Sequence, residues 1–399
     1  MKTIPLHVAP ARPQGLADPL SFQVPPPLAL YIHFPWCVQK CPYCDFNSHE
    51  ARENLPEAAY LDALIRDLES ALPLIWGRPI VSIFMGGGTP SLISPEGMDH
   101  LLMDIRARLK ILPGAEITLE ANPGTLEAGR FAAYRATGIN RLSIGIQSFN
   151  DHHLKALGRI HGSTEARAAA ELAARHFESF NLDLMYGLPG QTLDEALADL
   201  DTALSFAPPH LSCYQLTLEP NTRFAAFPPE LPEADLCADM QDAIETRLAA
   251  HGYAHYETSA FAQPGKRCQH NLNYWEFGDY LGIGAGAHSK ITQHDRVLRQ
   301  MRWKHPEAYL KQVALGEVAQ ESREIPGEEL PGEFMMNTLR LVDGFDPALF
   351  TARTAQQLAR IQPVLTRAVQ DGLLETSNTL IRPTLKGQRF LNVLLERFL

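Results

Sequence analysis

The chain has 399 residues, 45% of them hydrophobic and 20% charged, with a formal net charge of −11. That length exceeds the usual single-domain range, so one large domain with appendages, or two domains, is expected. The acidic balance argues against a partner held mainly through nucleic-acid phosphates, which would call for a basic stripe.

The acidity is uneven. Residues 291–399 carry 14 Lys+Arg against 13 Asp+Glu, which leaves 21 against 33 for residues 1–290. Six cysteines are too few for a disulfide scaffold at this size, and three of them fall within eight residues, the sign of a metal site in a reducing compartment. The segment Met1–Pro27 is proline-rich, lacks the apolar region of a secretory signal, and reads as an extended arm. No run approaches the roughly 18 apolar residues of a membrane span. The cytoplasm is therefore the default compartment.

Beyond the arm a unit repeats: a short β-rich run, a polar or glycine-rich turn, then an amphipathic helical stretch. The runs are Ala29–Phe34, Ile80–Met85, Glu116–Glu120, Arg141–Ile146, Asn181–Met185 and His210–Leu218. Their centres lie about 25–55 residues apart, the spacing of βα units rather than hairpins. Helical patterns fall between them at Glu57–Leu72, Leu126–Thr137, Thr164–Phe177 and Leu193–Phe206, and Gly138 stands as a C-terminal stop. Such a chain is α/β and predicts a partial (β/α) barrel of TIM-like construction over residues 28–290. The unusual residues follow strand ends: the clustered cysteines, then GGGTP, Glu120–Asn122, Gln147–Ser148, Asp183 and Tyr186–Gly187. In βα barrels that rim carries the chemistry.

The remainder, residues 291–399, reads differently. Glu333–Val342, Gln356–Asp371 and Leu380–Leu399 predict helices followed by a small strand–turn–strand, a winged-helix-like module. Its near-neutral charge favours a structural lid or partner surface over DNA binding.

Cys37, Cys41 and Cys44 form CxxxCxxC. Thiolates are soft ligands suited to iron–sulfur clusters, and a cubane normally takes four. Three on one loop leave the fourth iron open to the amino and carboxylate groups of S-adenosylmethionine (SAM). The alternative is a structural zinc site, which wants a fourth Cys or His at matching spacing; no second CxxC pair is present.

The CxxxCxxC loop, preceded by YIHFPWC and closed by PYCDF, resembles radical SAM proteins. It resembles in particular the branch that holds the oxygen-independent coproporphyrinogen III dehydrogenases and the HemW haem chaperones. The resemblance runs from Leu28 to the C-terminal module. It rests on Tyr31–Pro35, GGGTPS at Gly86–Ser91, LEANPGT at Leu119–Thr125 and RLSIGIQSF at Arg141–Phe149. To these it adds LGRIH at Leu157–His161, NLDLMYGLPGQT at Asn181–Thr192 and GIGAGAHS at Gly282–Ser289. It implies a [4Fe–4S] cluster on the three cysteines and SAM contacts at Tyr31, Gly87, Gly88, Thr89, Glu120, Gln147, Arg159 and Asp183.

Apart from Tyr31, each SAM contact also has a chemical reason. Glycines let backbone approach the methionyl group closely, Thr89 adds a hydroxyl, and Glu120 can accept from ribose or amino groups. Gln147 and Arg159 suit carboxylate or ribose, and Asp183 suits a hydroxyl or cation. A tight turn and satisfied structural roles are the competing readings.

Within the branch, the dehydrogenases carry a further cysteine two residues after the third; here Phe46 stands there. The segment His270-Asn271-Leu272-Asn273-Tyr274-Trp275 resembles the HNxxYW motif of the chaperones. The resemblance thus implies a haem chaperone with His270 as haem contact, because imidazole is a normal axial ligand, and Tyr274 and Trp275 as packing against the macrocycle. A hydrogen-bonded histidine beside a core tryptophan is the plainer reading of the same residues. Cys268 offers a second candidate ligand, although it reads better as a buried thiol, as do Cys213 and Cys237.

Delivery to haem proteins of the respiratory chain follows as an expectation. So do a homodimer, at most transient membrane association, and no nucleic-acid partner. Two activities compete with haem carrying. One is oxidative decarboxylation of coproporphyrinogen III through a 5′-deoxyadenosyl radical. The other, RNA modification, is disfavoured by the acidic balance.

Overall fold

A computed structural model describes residues 20–51, 55–124 and 128–399. Most of the N-terminal arm, the first two residues of the Leu126–Thr137 helical pattern and Thr125 of LEANPGT lie outside the described residues.

Six strands follow the expected order: β1 Leu28–Phe34, β2 Ile80–Gly87, β3 Ile111–Ala121, β4 Arg141–Gln147, β5 Phe180–Tyr186 and β6 His210–Gln215. All pair in parallel, each with the next. They read as near-continuous apolar runs because helices cover them; six of the seven residues of β1 are buried.

The covering helices are α1 Glu57–Ile75, α2 Pro95–Arg108, α3 Phe131–Ala136, α4 Asp151–Ala156, α5 Ser163–His176 and α6 Leu193–Ser205. Caps fix several starts: Ser94 accepts from the Gly97 N–H, and Thr192 forms a capping box with Glu195. The core packs Leu30, Ile32, Leu64, Leu68, Ile83, Leu119, Ile144 and Leu182 between strands and helices.

The sheet does not stop at six strands. After α7 (Ala234–Ala250), β7 Ala254–Glu257 and β8 Ala260–Ala262 extend it antiparallel beyond β6. Then α8 (Gln269–Trp275) leads into β9 Asp279–Ile283, which pairs in parallel with β1. β10 His288–Thr292, β11 Val297–Arg302 and β12 Ala319–Glu324 continue antiparallel on that side, with α9 (Pro306–Ala314) between the last two. The result is one 12-stranded sheet curled into a partial barrel. The expected boundary between residues 290 and 291 falls inside β10, and the sheet runs on to Glu324.

Buried polar ties hold the extension to the barrel. Asp67 of α1 accepts from Arg302 Nε at 2.8 Å, Tyr309 Oη at 2.9 Å and the Gly284 N–H at 3.1 Å. Asp279 of β9 takes Lys290, Arg78 and Thr292 in the same way. Fully buried charges are tolerable when paired and hydrogen-bonded like this.

The C-terminal unit comprises α10 Leu330–Thr338, α11 Pro347–Thr354 and α12 Gln362–Gln370. A hairpin of β13 Leu374–Thr376 and β14 Ile381–Pro383 follows, then α13 Leu385–Arg389 and α14 Leu391–Leu395. The hairpin therefore precedes the last helices rather than following them. Ile381 is buried in the strand, Pro383 ends it, and Thr384 caps α13 by accepting from Gly387. A second apolar core of Phe334, Phe345, Phe350, Leu365 and Leu394 fills this unit and also takes in Phe22, Phe277 and Val297.

Candidate functional site

Cys37 lies just past β1, where Trp36–Cys37 pairs with His49–Glu50 and closes the loop between them. Lys40 Nζ bridges the loop by donating to the Phe46 and Ser48 carbonyls at 3.3 and 3.1 Å. The LGRIH segment braces it from the next rim position. Gly158 (φ +68°) lies so close to Pro42 that a Cβ there would stand 2.8 Å from its ring. Arg159 Nη1 sits 3.5 Å from Cys41 Sγ, and Arg159 Nη2 donates to Asn122 Oδ1 at 2.7 Å and Gly145 O at 2.9 Å. Burial, and then the neighbouring cysteines, push the Cys37 and Cys44 thiols up.

A cavity of about 160 Å³ opens above these sulfurs. Cys37, Cys41, Cys44, Gly87, Gly88, Thr89, Glu120, Gln147, Arg159 and Asp183 all line it, so residues scattered over 147 positions meet at one place. Tyr31 lines the two neighbouring cavities, which share Glu120 with this one. Gln147 holds a left-handed φ of 68°, uncommon for a non-glycine residue.

The glycine turn has a different local role from the one expected. Gly87 donates to Glu120 Oε2 at 3.0 Å, Gly88 to the Phe34 carbonyl at 2.6 Å, and Thr89 to the Trp36 carbonyl at 2.7 Å. Those amides are engaged by the protein. Side chains are barred because the turn presses on β1: a Cβ on Gly87 would meet the His33 ring at 2.4 Å, and one on Gly88 the Trp36 carbonyl at 2.5 Å.

Burial raises Glu120 to about 8, with neighbouring Asp183 pushing the same way, and Asp183 is raised by its own burial. Tyr31 Oη hydrogen-bonds His33 Nδ1 at 3.0 Å, while His33 Nε2 donates to the Asn47 carbonyl at 2.8 Å. That pair fixes the neutral His33 tautomer, and burial lowers its pKa to about 4.

His270 opens α8 and sits inside the barrel rather than on its rim. Its ring stacks on Phe84 at 4.9 Å and lies 5.0 Å from Tyr274 and 6.3 Å from Tyr31. Nδ1 hydrogen-bonds Ser82 Oγ at 3.1 Å, whereas Nε2 is buried without a partner among the described residues. Burial, and then Arg141, lowers its pKa to about 3, so the ring is neutral. It lines a cavity of about 480 Å³ with Tyr31, Phe84, Arg141, Asp183 and Tyr274. Trp275 lies under the Arg340 guanidinium, 5.2 Å from its ring centre. Cys268, Cys213 and Cys237 are buried free thiols.

Several contributors were not singled out from sequence. Asn122, inside LEANPGT, links Thr89 Oγ1 to Arg159. Asn47 donates to the Ala285 and Lys304 carbonyls at 2.9 Å each and ties the cysteine loop to GIGAGAHS. Arg141 and Glu116 face each other beneath His270.

The donor set fits a cluster: three soft thiolates on one loop, a cation at one sulfur, and a polar cavity above. A single zinc ion, the competing reading, would want a fourth Cys or His donor beside them.

Residues 31–203 match the Radical SAM superfamily, and residues 325–390 match the HemN C-terminal domain. The chain is 50% identical over 376 residues to the heme chaperone HemW of Escherichia coli (strain K12), covering 94% of this chain and 98% of that one. It is 48% identical to the heme chaperone HemW of Haemophilus influenzae, again over 94% and 98%. Among solved structures it resembles coproporphyrinogen III oxidase (HemN) from Escherichia coli, a radical SAM enzyme. The TM-score is 0.80 at 25% identity, covering 94% of this chain and 90% of that one. With half its residues shared along nearly the whole length and a three-cysteine loop at the mouth of a partial barrel, the chain belongs to the HemW family of radical SAM proteins.

Proposed function

We propose that this protein binds haem and passes it to haem proteins, respiratory-chain enzymes among them, working in the cytoplasm. Cys37, Cys41 and Cys44 would hold the [4Fe–4S] cluster. Tyr31, Gly87, Gly88, Thr89, Glu120, Gln147, Arg159 and Asp183 would surround SAM. When bound, the cluster supplies electrons to the sulfonium of SAM. Arg159 orients Cys41 for this arrangement, and Glu120 offers an acceptor at the cavity wall.

The observation that carries the haem reading is His270: a neutral imidazole held through Nδ1 by Ser82, with Nε2 unpartnered in a cavity walled by Phe84, Tyr31 and Tyr274. Neutral imidazole is the form that ligates haem iron. Since Nε2 is sealed by its neighbours, haem entry requires one of those rings to turn aside.

A C-terminal helical unit distinct from the barrel belongs to this proposal, its start moved from residue 291 to beyond Glu324, where the shared sheet ends. So do a homodimer, transient membrane contact and the absence of a nucleic-acid partner. A second reading, coproporphyrinogen III dehydrogenation, is favoured by the likeness to HemN; Phe46, in place of a fourth loop cysteine, weighs against it.

Haem titration followed at the Soret band tests the proposal. Wild type should show a saturable shift, and His270→Ala should bind at least about tenfold more weakly, the equivalent of about 1.4 kcal/mol. An unchanged spectrum on mixing wild type with haem contradicts it, as does protoporphyrinogen formation from coproporphyrinogen III, SAM and a reductant.

A further inference from the structure

Arg141 begins β4 at the floor of the barrel and is 2% exposed. A buried guanidinium normally spends its donors on carboxylates or carbonyls. Here the Nε has no hydrogen-bond partner among the described residues. Its ion-pair partner, Glu116, stands 3.7 Å away, beyond hydrogen-bond reach. The other Glu116 oxygen is taken by the His270 N–H at 3.3 Å and by Cys268 Sγ at 3.4 Å. The neighbouring floor groups are paired among themselves: His210 with Asn181 and Tyr256, and Asn181 with Ser143 and Asp183. Arg141 thus lines the edge of a cavity with its Nε–H unmet.

That cavity is the one His270 lines, and its upper wall is aromatic. Its remaining acids, Glu120 and Asp183, are both raised by burial, and the nearby Arg141 draws each of them back down. A ligand that places a flat apolar body against Phe84 and Tyr274 and a carboxylate at the floor would complete the unmet donor.

We propose that Arg141 receives a carboxylate arm of the tetrapyrrole, setting the orientation of the macrocycle while His270 faces its metal. This rests on the haem reading above and adds to it a residue and a recognised group. An Arg–carboxylate pair out of water is among the stronger polar contacts a protein makes.

Haem and its dimethyl ester, which lacks free carboxylates, separate the two ideas. Both are titrated into full-length wild type, Arg141→Gln and Arg141→Lys, with circular dichroism as the folding check. Wild type should bind free-acid haem at least about tenfold more tightly than the diester. Arg141→Gln should bring that ratio close to one, and Arg141→Lys should restore part of it. A ratio near one in wild type, with haem binding intact, overturns the Arg141 assignment alone. A folded Arg141→Gln that keeps the wild-type ratio does the same. No Soret change with either ligand overturns the haem reading, and this assignment with it. The wild-type ratio needs no variant, so a misfolded Arg141→Gln leaves the test standing.

Discussion

Glu120 shows how a single side chain can couple the site to pH. Its carboxyl receives the Gly87 N–H yet is raised to about 8, because burial and the adjacent Asp183 outweigh that hydrogen bond. A carboxyl raised on folding favours the native state at low pH, and that contribution is lost as pH climbs from the unfolded value of about 4.5 through the folded one. SAM-free wild type should therefore lose stability relative to Glu120→Gln between pH 5 and pH 8.5. The change should be about 2 kcal/mol once its partial contact with solvent is allowed for. Urea unfolding of both proteins at the two pH values measures it. Parallel profiles would show that Glu120 is already ionised at neutral pH.

At the scale of elements, the glycine motifs work as spacers between strands. Gly284 holds φ +100°, and a Cβ there would stand 2.4 Å from the His33 carbonyl and 2.9 Å from Tyr60 Oη. Gly190 has φ +67° with nothing within 4 Å. Gly284→Ala should therefore cost about 3 kcal/mol, from strain plus overlap, against about 1 kcal/mol for Gly190→Ala. Melting temperatures of the two variants check this, and equal losses would mean the β1–β9 packing yields easily.

The same contrast explains what could be read from sequence. Of the parallel strands, β1, β2 and β4 are covered on both faces, so their apolar runs stand out, and the rim residues follow them in turn. The edge strands are short and polar: β12, AQESRE, is exposed over most of its length, and nothing in its pattern marks a strand. Arg141 was visible only as the first letter of RLSIGIQSF. Its meaning depends on Glu116 and Cys268, which reach it from a different strand and from the approach to α8. The amides of the glycine turn likewise looked free until β1 was placed beside them.

For the molecule as a whole, the second apolar core takes in Phe277 and Val297 from the barrel's extension, and the buried Asp67–Arg302 and Asp279–Lys290 pairs lock the antiparallel extension to the barrel. That frame carries α8 beneath the floor while the cysteine loop sits over the mouth. A metal-binding end and a His270 end thus share one interior, bridged by Tyr31, Glu120 and Asp183.

Everything at the mouth depends on Cys37, Cys41 and Cys44 holding iron rather than a single zinc ion. Iron and acid-labile sulfide, counted per chain after anaerobic reconstitution, decide this directly. Wild type should carry about four of each, and Cys37→Ala, Cys41→Ala and Cys44→Ala clearly fewer. A colourless wild type that holds zinc, or a Cys41→Ala protein with the full wild-type iron content, would contradict the assignment.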